Sequence, residues 1–240
     1  MKERKLIAYA ASQGRIPEQS SSLLRLAMRN FNAISVREAE SVDYLKTNGC
    51  EKEIKHVLDP TLLLEKIDLE EVAKDQGDRR EKYILVYCLS CKNKNMILKY
   101  VSNLERSTGL KVRVLNTSKE FSYPGVEAEG DRSGPVEFLA SVRDAEYVVT
   151  NSFHGMVFSC LYHKPFTAFQ RQDRDYRQKN LVELLGLKER LLDARVPWSE
   201  VADPYKMLVD WEGVDRRRRA ESKGAKKFLL NNLKNADSAY

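Results

Sequence analysis

His154 is the residue in this 240-residue chain best placed to do chemistry. It follows Thr150-Asn151-Ser152-Phe153 and precedes Gly155, at the point where a short apolar run, Tyr147 to Val149, gives way to residues at helical spacing. Phe153, Met156, Val157, Cys160 and Leu161 recur at that spacing, so the pattern predicts a buried strand, a polar turn and a helix beginning around His154. In the first turn of a helix the backbone N–H groups and the positive end of the dipole favour an anion. A neutral imidazole there suits proton transfer, because its ordinary pKa lies near physiological pH. The bland alternative is a histidine that caps the helix or fills a polar gap. Asn151 and Ser152 are ordinary N-cap types, worth ~1 kcal/mol with no function invoked, and they are also candidates to contact a ligand. Gly155 removes a side chain where a ligand would collide, or where helix and strand pack closely.

The basic residues near this turn are candidate anion holders. Arg171, Arg174 and Arg177 follow the apolar run Phe166 to Phe169, at the carboxyl edge of the expected sheet, where one guanidinium could grip phosphate or carboxylate bidentately. Their alternative is a solvated polar loop. Arg37 ends another short strand, with a salt bridge to Glu38 or Glu40 as its alternative, and Arg15 is the weakest of the set. His163 lies at the far end of the same helix, some 13–14 Å from His154 at ~1.5 Å per residue, so one site does not hold both. It reads as a surface turn residue, and His56 as part of a strand. No His, Cys or carboxylate cluster has metal-ligand spacing, and no metal is expected.

The elements that must position these groups alternate strand and helix. Lys5–Ala10, Ala33–Val36 and Ile54–Leu58 read as strands. Between them lie a helix in which Leu23, Leu24, Ala27 and Met28 share a face and a helix from Ala39 to Thr47 that stops at Asn48-Gly49. After a charged, weakly periodic stretch the pattern resumes: strand Tyr83–Tyr87, helix Asn95–Thr108, strand Val112–Leu115. A long loop from Asn116 to Ser133 follows, then helix Pro135–Val142 and the His154 region. A helix from Asn180 to Leu185, another from Tyr205 to Val209 and a charged amphipathic helix through Leu233 complete the chain. The fold class is α/β with parallel sheets. The domains read as a partial N-terminal Rossmann-like domain over 1–66, a linker at 67–81, a C-terminal Rossmann-like domain over 82–193 and a basic helical tail over 194–240.

Composition limits the rest. Hydrophobic residues at 42% and charged residues at 32% suit a globular protein, and no apolar run approaches the ~20 residues that span a bilayer. The basic N-terminus turns polar at Ser12-Gln13, too soon for a signal peptide, so a cytoplasmic protein is expected. Four cysteines do not form a disulfide framework, and Cys88-Leu89-Ser90-Cys91 reads as two half-buried thiols at a turn. From Trp211 to Tyr240 there are eight Lys/Arg against four Asp/Glu, supplying +4 of the net +6. The tetrad Arg216 to Arg219 reads as a solvated helix face first and an anionic partner second, and no nucleic-acid partner is expected.

The segments YAASQG, SVREAESVDYLKTNG, VLDPTLLL, PVEFLASVRDAEYVVTNSFHGMVFSCLYHKPFTAF and LLGLKERLLD, in this order, resemble the polysaccharide pyruvyl transferase family, its TNSFHG-type branch. The resemblance spans most of Lys5 to Asp193. It implies a GT-B-like architecture of two Rossmann-like domains facing across a cleft. It also implies transfer of pyruvyl from phosphoenolpyruvate (PEP) onto two sugar hydroxyls as a ketal, during cell-surface polysaccharide synthesis. No cofactor is implied beyond PEP as donor. The acceptor would be a sugar or lipid-linked oligosaccharide, met in the cytoplasm or at the inner membrane face. Two departures stand out. Longer family members have a full N-terminal domain, whereas this chain begins near its last third, which leaves sheet edge exposed and makes a homodimer an expectation. Some members carry Arg two residues before the site histidine, where this chain has Ser152. The competing expectations are a GT-B glycosyltransferase using a nucleotide sugar, and a non-catalytic truncated homologue.

Overall fold

The computed structural model describes residues 5–12, 21–74, 76, 81–89, 93–116, 121–126, 128, 133–170, 176–193 and 203–237. The chain divides into two compact units, one made of Met1–Leu63 with Arg216–Tyr240 and the other of Leu64–Asp215.

The first unit is built on β1 (Ile7–Ala11), β2 (Ala33–Val36) and β3 (Ile54–His56), a three-stranded parallel sheet in the order β1-β2-β3. Helices α1 (Ser21–Asn30) and α2 (Ala39–Thr47) make the crossovers. One cluster joins Met28 and Leu45 of these helices to Ile34, Val36 and Ile54. A second cluster gathers Ala10, Val57 and Ala225, with Tyr9 and Phe228 packed against it, so the last helix, α8 (Trp211–Asp237), is part of this unit's core. The face expected on α1 is only partly used. Met28 is buried and Leu24 packs against the first cluster, but Leu23 is exposed, because a three-stranded sheet offers too little surface to cover the whole helix stripe.

The second unit holds β4 (Tyr83–Cys88), β5 (Lys111–Asn116), β6 (Tyr147–Thr150), β7 (Phe166–Phe169) and β8 (Leu191–Leu192), all parallel, in the order β5-β4-β6-β7-β8. Numbered within the unit that order is 2-1-3-4-5, a doubly wound sheet that reverses direction between β4 and β6. Strands buried on both faces need continuous apolar sequence rather than alternation, which is why YILVYC and YVVT read as strands without a period. Helices α4 (Lys94–Thr108), α5 (Pro135–Asp144), α6 (Phe153–Leu161) and α7 (Tyr176–Leu185) cover the sheet. Pro135 opens α5 as expected, and α4 ends at Gly109 with φ of 70°, a left-handed stop that a β-carbon would strain.

Three expectations are corrected. Part of the stretch read as linker is a helix, α3 (Lys66–Ala73), which buries Leu69 and Ala73 and whose Asp68 carboxylate accepts the Glu65 N–H at 2.8 Å. Its short apolar stripe is diluted by charge, so the periodicity is weak although the burial is real. The helix expected at Tyr205–Val209 is a single 3-10 turn, Pro204–Lys206, closed by the Asp203 side chain on the Tyr205 N–H. The segment read as one tail is divided, since Arg216–Tyr240 groups with the first unit and the residues before it with the second. Arg190 is fully buried and donates to the carbonyls of Phe166 and Met207, tying β7 to the segment ahead of α8. No helix among the described residues is long and apolar enough to cross a membrane.

Candidate functional site

The Thr150–Gly155 turn lies at the carboxyl end of β6, at the β4/β6 reversal of the second unit's sheet. Doubly wound sheets bind their ligands at such a switch point, because the helices following the two strands depart to opposite faces and leave a crevice. The turn is locked from several sides. Thr150 Oγ1 donates to the Tyr87 carbonyl at 2.5 Å and accepts the Ser152 N–H at 3.0 Å. Asn151 Oδ1 accepts the Leu89 N–H at 2.7 Å, bridging the ends of β4 and β6, while buried Gln178 of α7 donates to the Asn151 carbonyl at 3.2 Å. Ser152 is the N-cap of α6, its hydroxyl accepting the Gly155 N–H at 3.3 Å. Asn151, expected to share the capping, is instead a brace between strands.

Gly155 has the packing role. A β-carbon built there would overlap Thr150 Oγ1 and sit 3.0 Å from its Cβ and 3.2 Å from its Cγ2. A neighbouring loop joins in, with Asn93 at the start of α4 donating to the Gln170 carbonyl just past β7 at 2.7 Å.

Against this buried frame His154 is exposed, at the second position of α6. Its ring lies 5.4 Å from the Phe153 ring and 6.4 Å from Phe158, one turn along. The aromatic row continues through Phe138 to Tyr87, with centroid distances of 5.6 Å and 4.6 Å. Burial pushes the Tyr87 phenol pKa up, opposed by its hydrogen bond with Ser152, so at neutral pH it is an uncharged polar group beside the turn. Tyr87 was not singled out from the sequence, although its place at the carboxyl end of a strand was the available signal. Gln178 was equally hidden, since nothing local distinguishes it from a surface residue.

The arginine candidates separate. The Arg177 guanidinium carbon stands 6.0 Å from the Phe153 ring, over the site's own helix. Arg171 and Arg174 lie outside the described residues, as do Arg15 and Cys91. Arg37 belongs to the first unit, at the carboxyl end of β2, where its charge is already matched. Its Nη1 meets Asp59 Oδ2 at 2.6 Å and its Nε lies 3.5 Å from Glu38 Oε1. The other Asp59 oxygen accepts from the Thr61 N–H and hydroxyl, and Ser12 donates to Glu38 at 2.6 Å. Glu38 was one of the two partners weighed for Arg37, whereas the shorter contact, to Asp59, was not anticipated; both carboxylates are buried at that sheet's carboxyl edge.

His163 stands at φ of 55°, stacked on Trp211 at 5.1 Å, with Nε2 3.2 Å from Asp215. It braces the start of α8. Cys50, Cys88 and Cys160 are buried and unbridged. Among the described residues no group of three or more His, Cys, Asp or Glu is arranged to hold a metal ion.

A hydrogen-bonded turn, an exposed histidine and a helix N-terminus meet at the topological switch point of a Rossmann-like, parallel α/β sheet. The family model for polysaccharide pyruvyl transferases matches residues 2–173, and the chain belongs to that family, whose members are transferases acting on polysaccharides. A search of curated proteins finds no match. Among solved structures the chain is similar to UDP-GlcNAc 2-epimerase of Methanocaldococcus jannaschii, determined with UDP-GlcNAc and UDP. That pair shares 14% identity at a TM-score of 0.51, over 90% of this chain and 61% of the other. Weaker similarities are to the wall teichoic acid polymerase TagF, at 12% identity, TM-score 0.47 and coverage of 96% and 64%. The glycotransferase of kitacinnamycin gives 18% identity, TM-score 0.42 and coverage of 66% and 46%. The chain therefore spans between about half and two thirds of the length of these proteins. The epimerase similarity shows a shared fold.

One consequence is local. Ser152→Ala removes the α6 cap and is expected to cost ~1 kcal/mol in a urea titration. An unchanged midpoint would mean that Asn151 and Gln178 hold the turn without it.

Proposed function

We propose that this protein transfers the pyruvyl group of PEP to two hydroxyls of a sugar, forming a ketal and releasing phosphate. The observation that carries the reading is the exposed His154 on the first turn of α6, at the sheet's switch point, held by a frame of buried hydrogen bonds.

Protonation of the PEP methylene carbon makes C2 electron-poor. One sugar hydroxyl then adds to C2 and gives up its proton, phosphate departs with the C–O bond electrons, and the second hydroxyl closes the ring and loses its proton. His154 supplies and removes protons, a contribution of ~10²–10⁴-fold. The α6 N-terminus favours the phosphate or carboxylate, with Arg177 beside the same helix as a cation and Arg171 and Arg174, which follow Phe169 in the sequence, as further candidates. Asn151, Ser152 and Gly155 shape the turn that meets the donor.

The experiment is ligand-induced thermal stabilisation of the whole chain. PEP present at ~100 times its dissociation constant adds about 2.7 kcal/mol, while a nucleotide sugar at the same concentration leaves the melting temperature unchanged. The reverse result would favour a glycosyltransferase, and no response to either would favour a non-catalytic homologue.

A further inference from the structure

We infer that the Tyr87 phenol donates a hydrogen bond to an anionic oxygen of bound PEP, beside the first turn of α6. This rests on the pyruvyl-transfer reading and adds to its site a residue that the sequence did not single out.

Tyr87 stands near the carboxyl end of β4, level with Thr150 of β6. Side chains alternate between the two faces of a strand. Ile84, Val86 and Cys88 enter the cluster shared with α4, so Tyr87 points to the opposite face, where its ring packs on Phe138 of α5 at 4.6 Å. There its hydroxyl meets that of Ser152, the α6 cap. The direction of that bond leaves the phenol proton over. Ser152 Oγ already accepts the Gly155 N–H at 3.3 Å and has one proton of its own to give. Its bond to Tyr87 favours the phenolate over the phenol, which is the effect of a donor and not of an acceptor. Tyr87 therefore accepts from Ser152, and its own O–H has no acceptor among the described residues.

A ring kept for packing alone needs no hydroxyl, and Phe138, Phe153 and Phe158 of the same aromatic row have none. Tyr87 is half-buried, which leaves a ligand a way to reach it while strengthening any bond formed there. The residue after the cap, Phe153, brings a second donor, since its N–H also has no acceptor among the described residues. Two donors beside the positive end of a helix dipole suit an oxygen anion. A phenol also holds its charge at zero at neutral pH, because burial pushes its pKa up, so it donates to the anion without repelling it.

Calorimetric titration of the full chain with PEP, and separately with inorganic phosphate, tests this. Tyr87→Phe keeps the ring on Phe138 and removes one oxygen. It should bind PEP about 10- to 100-fold more weakly, the loss expected for a hydrogen bond to a charged group, and melt close to the native chain. Phosphate binding that falls together with PEP binding assigns the contact to the phosphate, and phosphate binding left intact assigns it to the carboxylate. The same substitution in a Ser152→Ala background separates contact from support. A direct donor still weakens PEP binding there. A Tyr87 that acted only through the cap would have no further effect, and that result overturns the inference. Equal PEP affinity in Tyr87→Phe and the native chain also overturns it, while leaving the pyruvyl-transfer reading in place. A native chain that binds no PEP removes both. Loss of the fold in Tyr87→Phe would assign the hydroxyl to the frame of the turn and overturn the inference as well.

Discussion

His154→Ala is expected to lower the proposed pyruvyl transfer by about 10²–10⁴-fold and to leave the melting temperature within about 1 °C of the native value. The two halves of this expectation rest on one fact, the exposure of the imidazole. Its ring leans on Phe153 and Phe158 at the surface, while the bonds of Thr150 to the Tyr87 carbonyl, of Leu89 to Asn151 and of Gln178 to the Asn151 carbonyl hold the turn through other groups. Truncation to alanine therefore opens no cavity, and α6 keeps its cap. Phosphate release from PEP in the presence of acceptor measures the activity, and calorimetry the fold. A variant that folds and transfers at the native rate would remove His154 from the chemistry. One that loses activity together with its fold would show the residue to be structural after all. His154→Gln separates proton transfer from hydrogen bonding, because glutamine donates and accepts but does not shuttle a proton; it should be as impaired as alanine.

The second large effect is on stability. Gly155→Ala is expected to cost about 1–3 kcal/mol, because the added methyl enters space filled by Thr150. Thr150 is not free to move aside, since its hydroxyl joins the Tyr87 carbonyl to the Ser152 N–H. The overlap would therefore be relieved by shifting α6 away from β6 and breaking those bonds. A double-mutant cycle with Thr150→Ala tests the cause. Removing Oγ1 and Cγ2 leaves only the 3.0 Å approach to Cβ, so the penalty should fall without vanishing. If Gly155→Ala costs the same in both backgrounds, the collision is not with Thr150. Activity is expected to fall beyond the stability loss, because a shift of α6 carries His154 with it.

Local pattern carried most of the site. The Tyr147–Gly155 stretch changes from a continuous apolar run to helical spacing within a few residues, and that change of period is a property of the chain alone. Strand, turn and helix fell where the pattern put them, Pro135 opened its helix, and the α/β class with parallel sheets followed from their alternation. The failures also have physical causes. α3 was read as linker because a surface helix that buries only Leu69 and Ala73 leaves a weak periodic signal. The turn at Pro204–Lys206 was read as a longer helix because apolar residues near Tyr205 mimic a helical stripe, whereas Leu208 is in fact 99% exposed.

By itself the sequence determined the alternation of elements, the capped turn at Ser152 and the identity of its histidine, because caps, breakers and apolar period act over a few residues. Tertiary structure alone decided which groups became partners. Strand order placed the turn at the β4/β6 reversal, and pairing across the sheet set Leu89 against Asn151 and Thr150 against the Tyr87 carbonyl. It matched Arg37 with Asp59, buried Arg190 against two carbonyls, and turned one side of α8 into core. These are contacts between residues far apart in the chain. Their energies depend on burial and distance, which no local window of sequence contains.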